Sequence, residues 1–248
     1  GMATLDACNN IKSRLKEFAA ERWQTNFEQV SFLSGRVKIG DVEISFDDLI
    51  GEAYRARVPL SATGFYATPK INWNKDEAKG QPFYYFAYGA AITEAAIDTL
   101  TGENRLLRVD ILHDVGKSLN PAIDIGQIEG GFAQGAGWLT TEELRWDENG
   151  QLMTHAPSTY KIPTLGDRAT DMRIEIWDRG ENVEPTIYRS KAVGEPPLML
   201  GISALMALSD AVAAAGDYRH YPALDAPATP ERILAAVQRV MDGSEAAA

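Results

Sequence analysis

The sequence predicts an α+β protein, with mixed sheets packed by helices. Apolar residues recur at helical spacing near the start and again after Pro197, and strand-like runs rich in β-branched and aromatic residues lie between them. No Pro/Gly/Ser-rich linker divides the chain, so residues 1–248 read as a single unit. Beyond a short alanine-rich tail there is no repeat or low-complexity tract.

Taken in order, Leu5, Cys8, Ile11, Leu15, Phe18 and Ala19 share one face of a predicted helix over Leu5–Trp23. Short strands are expected at Val30–Leu33, Val37–Ile39 and Val42–Ile44. A helix from about Phe46 to Arg57 follows, with Ser45 as cap and Asp47 and Asp48 in its first turn. The runs Phe83–Asp98 and Arg105–Val115 flank Thr101-Gly-Glu-Asn104 and read as a long hairpin. Within it the aromatic cluster Phe83, Tyr84, Tyr85, Phe86 and Tyr88 suggests a sheet packed on both faces. A second pair brackets Asp147-Glu-Asn-Gly150, and Met172–Trp177 and Thr186–Arg189 look like further strands.

Asn120 as cap and Pro121 at the first position begin a helix that contains Gly126, Gly130, Gly131, Gly135 and Gly137. Each interior glycine costs about 1 kcal/mol relative to alanine, so something must offset them. A bare helix face admits either another backbone or a flat ligand, and Gln127 and Gln134 lie near that face.

In Ser190–Gly201 a single carboxylate, Glu195, stands between Gly194 and two prolines. A residue before proline is driven from the α region, so Glu195 and Pro196 should be extended. Pro197 suits the first turn of the apolar helix that follows, which leaves the carboxylate on a rigid elbow. Its plain alternative is an acid held by the helix dipole.

Composition narrows the partners. With 45% hydrophobic and 24% charged residues the chain is globular rather than disordered. A net charge of −11 argues against nucleic acid or an anionic membrane as a partner. The lone Cys8 excludes an internal disulfide, a cysteine-rich zinc site or an all-cysteine iron–sulfur cluster within this sequence, and fits a reducing compartment, the cytoplasm. No basic-then-apolar leader opens the chain, and Ser203, Ser209 and Asp210 interrupt the apolar run Leu198–Ala215, which reads as a core helix. Phosphate-loop, nucleophile-elbow and complete dinucleotide fingerprints are missing, and His113, His155 and His220 have no ligand spacing.

The segments LSATGFYATPK, HDVGKSLNPAIDIGQIEGGFAQGAGW, PSTYKIPTLGD and KAVGEPPLMLG occur in that order. With them the chain closely resembles the C-terminal part of the molybdenum-binding portion of the xanthine dehydrogenase/aldehyde oxidase family, as in bacterial xanthine dehydrogenases that carry this portion as a separate subunit. The resemblance runs from about Gly1 to near Val240 and is weakest around residues 216–226. It implies part of a molybdenum cofactor-binding domain, incomplete relative to the family, in an enzyme that hydroxylates xanthine or hypoxanthine. It further implies that Glu195 is the catalytic base, taking a proton from a hydroxyl on molybdenum, and that Gln127 contacts molybdopterin. The groups around Ser158-Thr159-Tyr160-Lys161 are expected to support the site. Iron–sulfur clusters and FAD would sit on other domains or subunits, as would the upstream part of the molybdenum domain with the residues that choose the substrate. A related enzyme of aldehydes or other N-heterocycles, and a non-catalytic structural module, are the competing expectations.

Overall fold

A computed structural model describes residues 1–243, and the alanine-rich tail lies outside the described residues. Although the sequence shows no linker, contacts divide the chain into two compact units, Gly1–Tyr84 and the chain from Tyr85 onward. The physical reason is that each closes an apolar core of its own.

In the first unit, α1 (Met2–Arg22) precedes an antiparallel sheet of β1 (Val30–Leu33), β2 (Arg36–Ile39) and β3 (Val42–Ser45), and α2 (Phe46–Arg55) follows directly. The Ser45 hydroxyl accepts from the Asp48 N–H at 3.0 Å, as its place before the acidic turn predicts. Leu15 and Ala19 of α1, Val30, Val37 and Ile39 of the sheet, and Leu49 and Ala53 of α2 form the core. Leu5 and Cys8 are exposed, so the predicted apolar face is covered only in the later turns of α1. The early turns instead hold an extended strap. Asp6 accepts from the Phe65 N–H at 3.0 Å, and Arg14 donates to the carbonyls of Pro59 and Ser61 at 2.6 and 3.1 Å. Gly64 is obligatory there, because a Cβ would strike the Ala3 and Ala7 backbone. A small antiparallel pair, β4 (Asn72–Asn74) and β5 (Lys79–Gln81), closes this unit.

The second unit is built on β6 (Gly89–Ile97), β7 (Asn104–His113) and β8 (Asp171–Ile176), with β6 antiparallel and β8 parallel to β7. The crossover from β7 to β8 contains α3 (Pro121–Thr140), capped by Asn120 as predicted. Ile128, Phe132 and Ala136 of α3 bury against Val109 and Ile111 of β7. Leu208 and Val212 of α4 (Ile202–Ala215) pack with Ile233, Val237 and Val240 of α5 (Pro230–Asp242). The stretch Pro196–Ala215 is long and apolar enough to cross a membrane, with a mean hydropathy of 1.8. Here its inner side is core: Ala204, Leu208 and Val212 are buried, while Met199, Ile202 and Met206 face outward.

Three strand expectations are corrected. The hairpin begins at Gly89, and Phe83, Phe86 and Tyr88 are exposed outside the sheet. Tyr88 serves instead through its carbonyl, which accepts from the Asp114 N–H. In Thr186–Arg189, Thr186 caps a 3₁₀ turn, Ile187–Arg189, in which Tyr188 and Arg189 take left-handed φ values of 46° and 61°. Around Asp147 only the bridge Trp146–Leu152 forms, because the Asp147 carboxylate accepts the N–H groups of Asn149 and Gln151 and closes a tight turn.

The glycines of α3 divide into two sets. At Gly131 a Cβ would stand 3.0 Å from Pro197 Cβ and 3.2 Å from the Gly194 carbonyl oxygen, and at Gly135 it would collide with the Leu198 carbonyl. Reciprocally, a Cβ on Gly201 would lie 2.5 Å from the Ala136 nitrogen. The backbone of Gly194–Gly201 therefore lies directly on α3, and it is this chain's own main chain that the bare face admits. Gly137 is closed in by Glu142 and Pro163. Gly126 and Gly130 have nothing within 4 Å of a Cβ and border a cavity of about 1080 Å³ together with Glu129, Phe132 and Arg168.

His113, at the end of β7, is 1% exposed, and its Nδ1 has no hydrogen-bond partner. Burial pulls its pKa below the usual imidazole range; the nearby Lys191 charge adds to the lowering, and Asp114 opposes it.

Two predictions follow from this packing. Gly130→Ala should raise stability to urea by up to about 1 kcal/mol, whereas Gly135→Ala should lower it by about 1–3 kcal/mol through overpacking. Unfolding curves of the two single variants test the contrast, and equal effects would contradict the close crossing. Because the folded imidazole resists protonation, His113 destabilises the fold as pH falls below the unfolded value of about 6.5, down through its lower folded pKa. Melting curves between about pH 5 and 8 should therefore be flatter at their acid end in His113→Met, with no loss of stability at the alkaline end.

Candidate active site

The elbow is fixed from both sides. Downstream, Pro196 and Pro197 open a 3₁₀ segment, Pro196–Gly201, that leads into α4. Glu195 is its cap residue with φ −95° and ψ −40°, which corrects the expected extended conformation. The closing hydrogen bond explains the difference: the Leu198 N–H donates to the Glu195 carbonyl at 3.0 Å and offsets the crowding before proline. Pro196 also begins the 3₁₀ segment rather than lying in extended chain.

The Glu195 side chain is exposed and makes no capping hydrogen bond. Pro196 and Pro197 have no N–H to offer, and the next N–H, that of Leu198, goes to the Glu195 carbonyl rather than to its carboxylate.

Gln127 stands on α3 over the same place. Its Oε1 lies 2.9 Å from where a Cβ on Gly194 would be, so the amide rests close against the main chain immediately before Glu195. The Gln127 amide thus lies against the residue that precedes Glu195, 68 positions along the chain. Gln134 is exposed farther along the helix.

Ser158–Lys161 is held largely by local bonds, and Lys161 lines the cavity that Gly126 and Gly130 border. Lys161 Nζ donates to the Ser158 carbonyl, Thr159 bonds to Ala156, and the Thr141 hydroxyl donates to the Lys161 carbonyl. Tyr160 is hydrogen-bonded to the buried Glu142, which raises the pKa of the phenol above its usual value. Glu142 closes on Gly137, about 15 Å along α3 from Gln127 at the helical rise. These groups fasten their own loop to the far end of the helix.

What the sequence reading missed is the clamp upstream of the elbow. Lys191 Nζ and Asp114 Oδ2 are 2.5 Å apart, and the Tyr85 hydroxyl accepts from the Ala192 N–H at 2.9 Å. Asp114 and Lys191 lie inside quoted motifs, but a pairing across 77 residues has no local signal. Among the described residues no group of three or more His, Cys, Asp or Glu converges as a metal site.

A family model described as a molybdopterin cofactor-binding domain matches residues 1–168, which include Gln127. Xanthine dehydrogenase of Oryza sativa subsp. japonica is 45% identical over 244 residues, and xanthine dehydrogenase/oxidase of Gallus gallus is 44% identical over 236. Each match covers 94% of this chain, elbow included, and 16% of the relative, so the chain spans about one sixth of their length. Among solved structures, quinoline 2-oxidoreductase from Pseudomonas putida 86 superposes with a TM-score of 0.65 at 27% identity, over 93% of this chain and 28% of that one. The chain belongs to the molybdopterin cofactor-binding domain family and corresponds to part of the molybdopterin-binding region of the xanthine dehydrogenase/aldehyde oxidase enzymes.

Proposed function

We propose that this chain supplies the base-bearing wall of the active centre of a molybdenum hydroxylase that oxidises xanthine or hypoxanthine. The observation that carries the reading is the contact of the Gln127 amide with Gly194, the residue next to Glu195. The residues present fit the polar edge of a pterin. Gln127 is exposed, its Oε1 faces the elbow backbone, and a side-chain amide offers two further donors through its nitrogen. When bound, the cofactor would supply the metal centre for oxygen transfer and electron uptake.

Gln127 would hold that cofactor at its amide. Glu195 would accept a proton on a carboxylate oxygen that no helix N–H competes for, and the proline pair would fix the direction of its backbone. The electrons would leave to iron–sulfur and FAD sites on other domains or subunits. Identity of 45% to a xanthine dehydrogenase, against 27% to a quinoline oxidoreductase, favours a purine over other heterocycles or aldehydes. The upstream part of the molybdenum domain is the proposed partner, and exposed Phe65, Leu165, Val183 and Tyr221 are surface for it or for the iron–sulfur/FAD subunit to cover. The cytoplasm is the proposed compartment.

In the complete enzyme, Glu195→Gln should cut turnover of xanthine by about 10²–10⁴ while molybdenum content and melting temperature stay near the parent's. Steady-state rates, metal analysis and a melting curve on one preparation test this. Near-normal turnover at full molybdenum occupancy would return Glu195 to a structural role. The 248-residue chain alone should hold little molybdenum after co-expression with cofactor-assembly factors, and stoichiometric metal in it would show that no further part of the domain is needed.

A further inference from the structure

We infer that Lys191 and Asp114 are positioning residues for Glu195, an inference that rests on the reading of Glu195 as the base. Their ion pair is well enclosed, with side chains 8% and 15% exposed. Such a pair is a poor source of stability, because desolvating both charges consumes most of the attraction. What it supplies is a fixed geometry, and everything around it serves the same end.

Asp114 cannot swing away, since its other oxygen accepts from the Gly116 N–H at 2.7 Å. The Lys191 ammonium lies 5.4 Å from the centre of the Tyr88 ring, where the charge gains further attraction. The two backbones are also paired: the Lys191 N–H donates to the Val115 carbonyl at 2.8 Å, and the Lys117 N–H to the Arg189 carbonyl at 3.0 Å.

The neighbours on each side are held as well. The Ser190 carbonyl accepts from the buried Asn182 amide and from the Thr186 hydroxyl, and the Ala192 N–H is taken by Tyr85. Left-handed Tyr188 and Arg189 bend the chain into this clamp, a conformation that persists only when surroundings impose it. Val193 then enters the core, Gly194 passes under Gln127, and Glu195 follows. The carboxylate thus hangs on a short span between the clamp and the proline pair. Loss of the ion pair should release the upstream end of that span and let the carboxylate drift without unfolding the core.

The test uses the complete enzyme. Lys191→Met should lower kcat by about 10²-fold, the loss expected for small misplacement of a catalytic group, with KM little changed. Lys191→Met combined with Asp114→Asn, which leaves no lone buried charge, should show the same loss and so guards against simple misfolding. In a Glu195→Gln background the same changes should cost almost nothing more. Hydrogen exchange should quicken in the peptide spanning residues 190–198 and stay unchanged around Val109 and Ile111. Near-normal kcat in both variants would overturn the inference, as would losses that remain fully additive with an inactive Glu195→Gln. An active Glu195→Gln would instead overturn the base reading and the positioning role with it.

Discussion

The second unit depends on one close approach, that of the Gly194–Gly201 backbone to α3. Side chains normally keep a helix and a neighbouring segment 8–10 Å apart at their axes. Glycines at 131, 135 and 201 remove them, and the main chains meet directly. Once that distance is set, several features follow from it. Gln127, on the same face of α3, is delivered to Gly194; α4 is aimed so that Ala204 and Leu208 reach the core; and Glu195 is left at the outer edge of the contact. A helix with five glycines would be a weak helix in isolation, so its persistence is a product of tertiary packing against β7 and the elbow.

The ion pair and the glycine contact play different physical parts. Glycine contact is short-ranged and insensitive to salt, and it sets how near the elbow lies to α3. The Lys191–Asp114 pair, with its backbone bridge, sets where along that surface the elbow begins. His113 sits beside the pair without a partner for its Nδ1, so the end of β7 combines a satisfied charge with an unsatisfied dipole. Buried polar groups of this kind are costly in a core built only for stability.

Much of the local structure was legible from the residues alone. Ser45 and Asn120 announced their helices because capping is a local transaction between a side chain and N–H groups a few residues on. The strands of the first unit were legible from their β-branched residues for the same reason. Phe83–Tyr88 and Thr186–Arg189 misled because strand propensity measures fit to a half-buried surface, and neither segment is offered one. At the candidate site, Glu195 drew notice through its prolines and Gln127 through the glycine-rich helix, while the roles expected of them came from the family resemblance. Lys191, Asp114 and Tyr85 did not, since their pairing is decided by how β6, β7 and the elbow assemble. Even Glu195 was read with the wrong backbone conformation, because a single hydrogen bond from Leu198 outweighed the pre-proline preference.

The missing N–H groups of Pro196 and Pro197 have a consequence of a different kind. In most helices an acid at the cap is part of the fold, and protonating it loosens the first turn. Here the turn is closed by the Glu195 carbonyl and the Leu198 N–H, so its integrity is carried entirely by backbone atoms. The first turn therefore asks nothing of the Glu195 side chain, which is left exposed with no capping bond to keep.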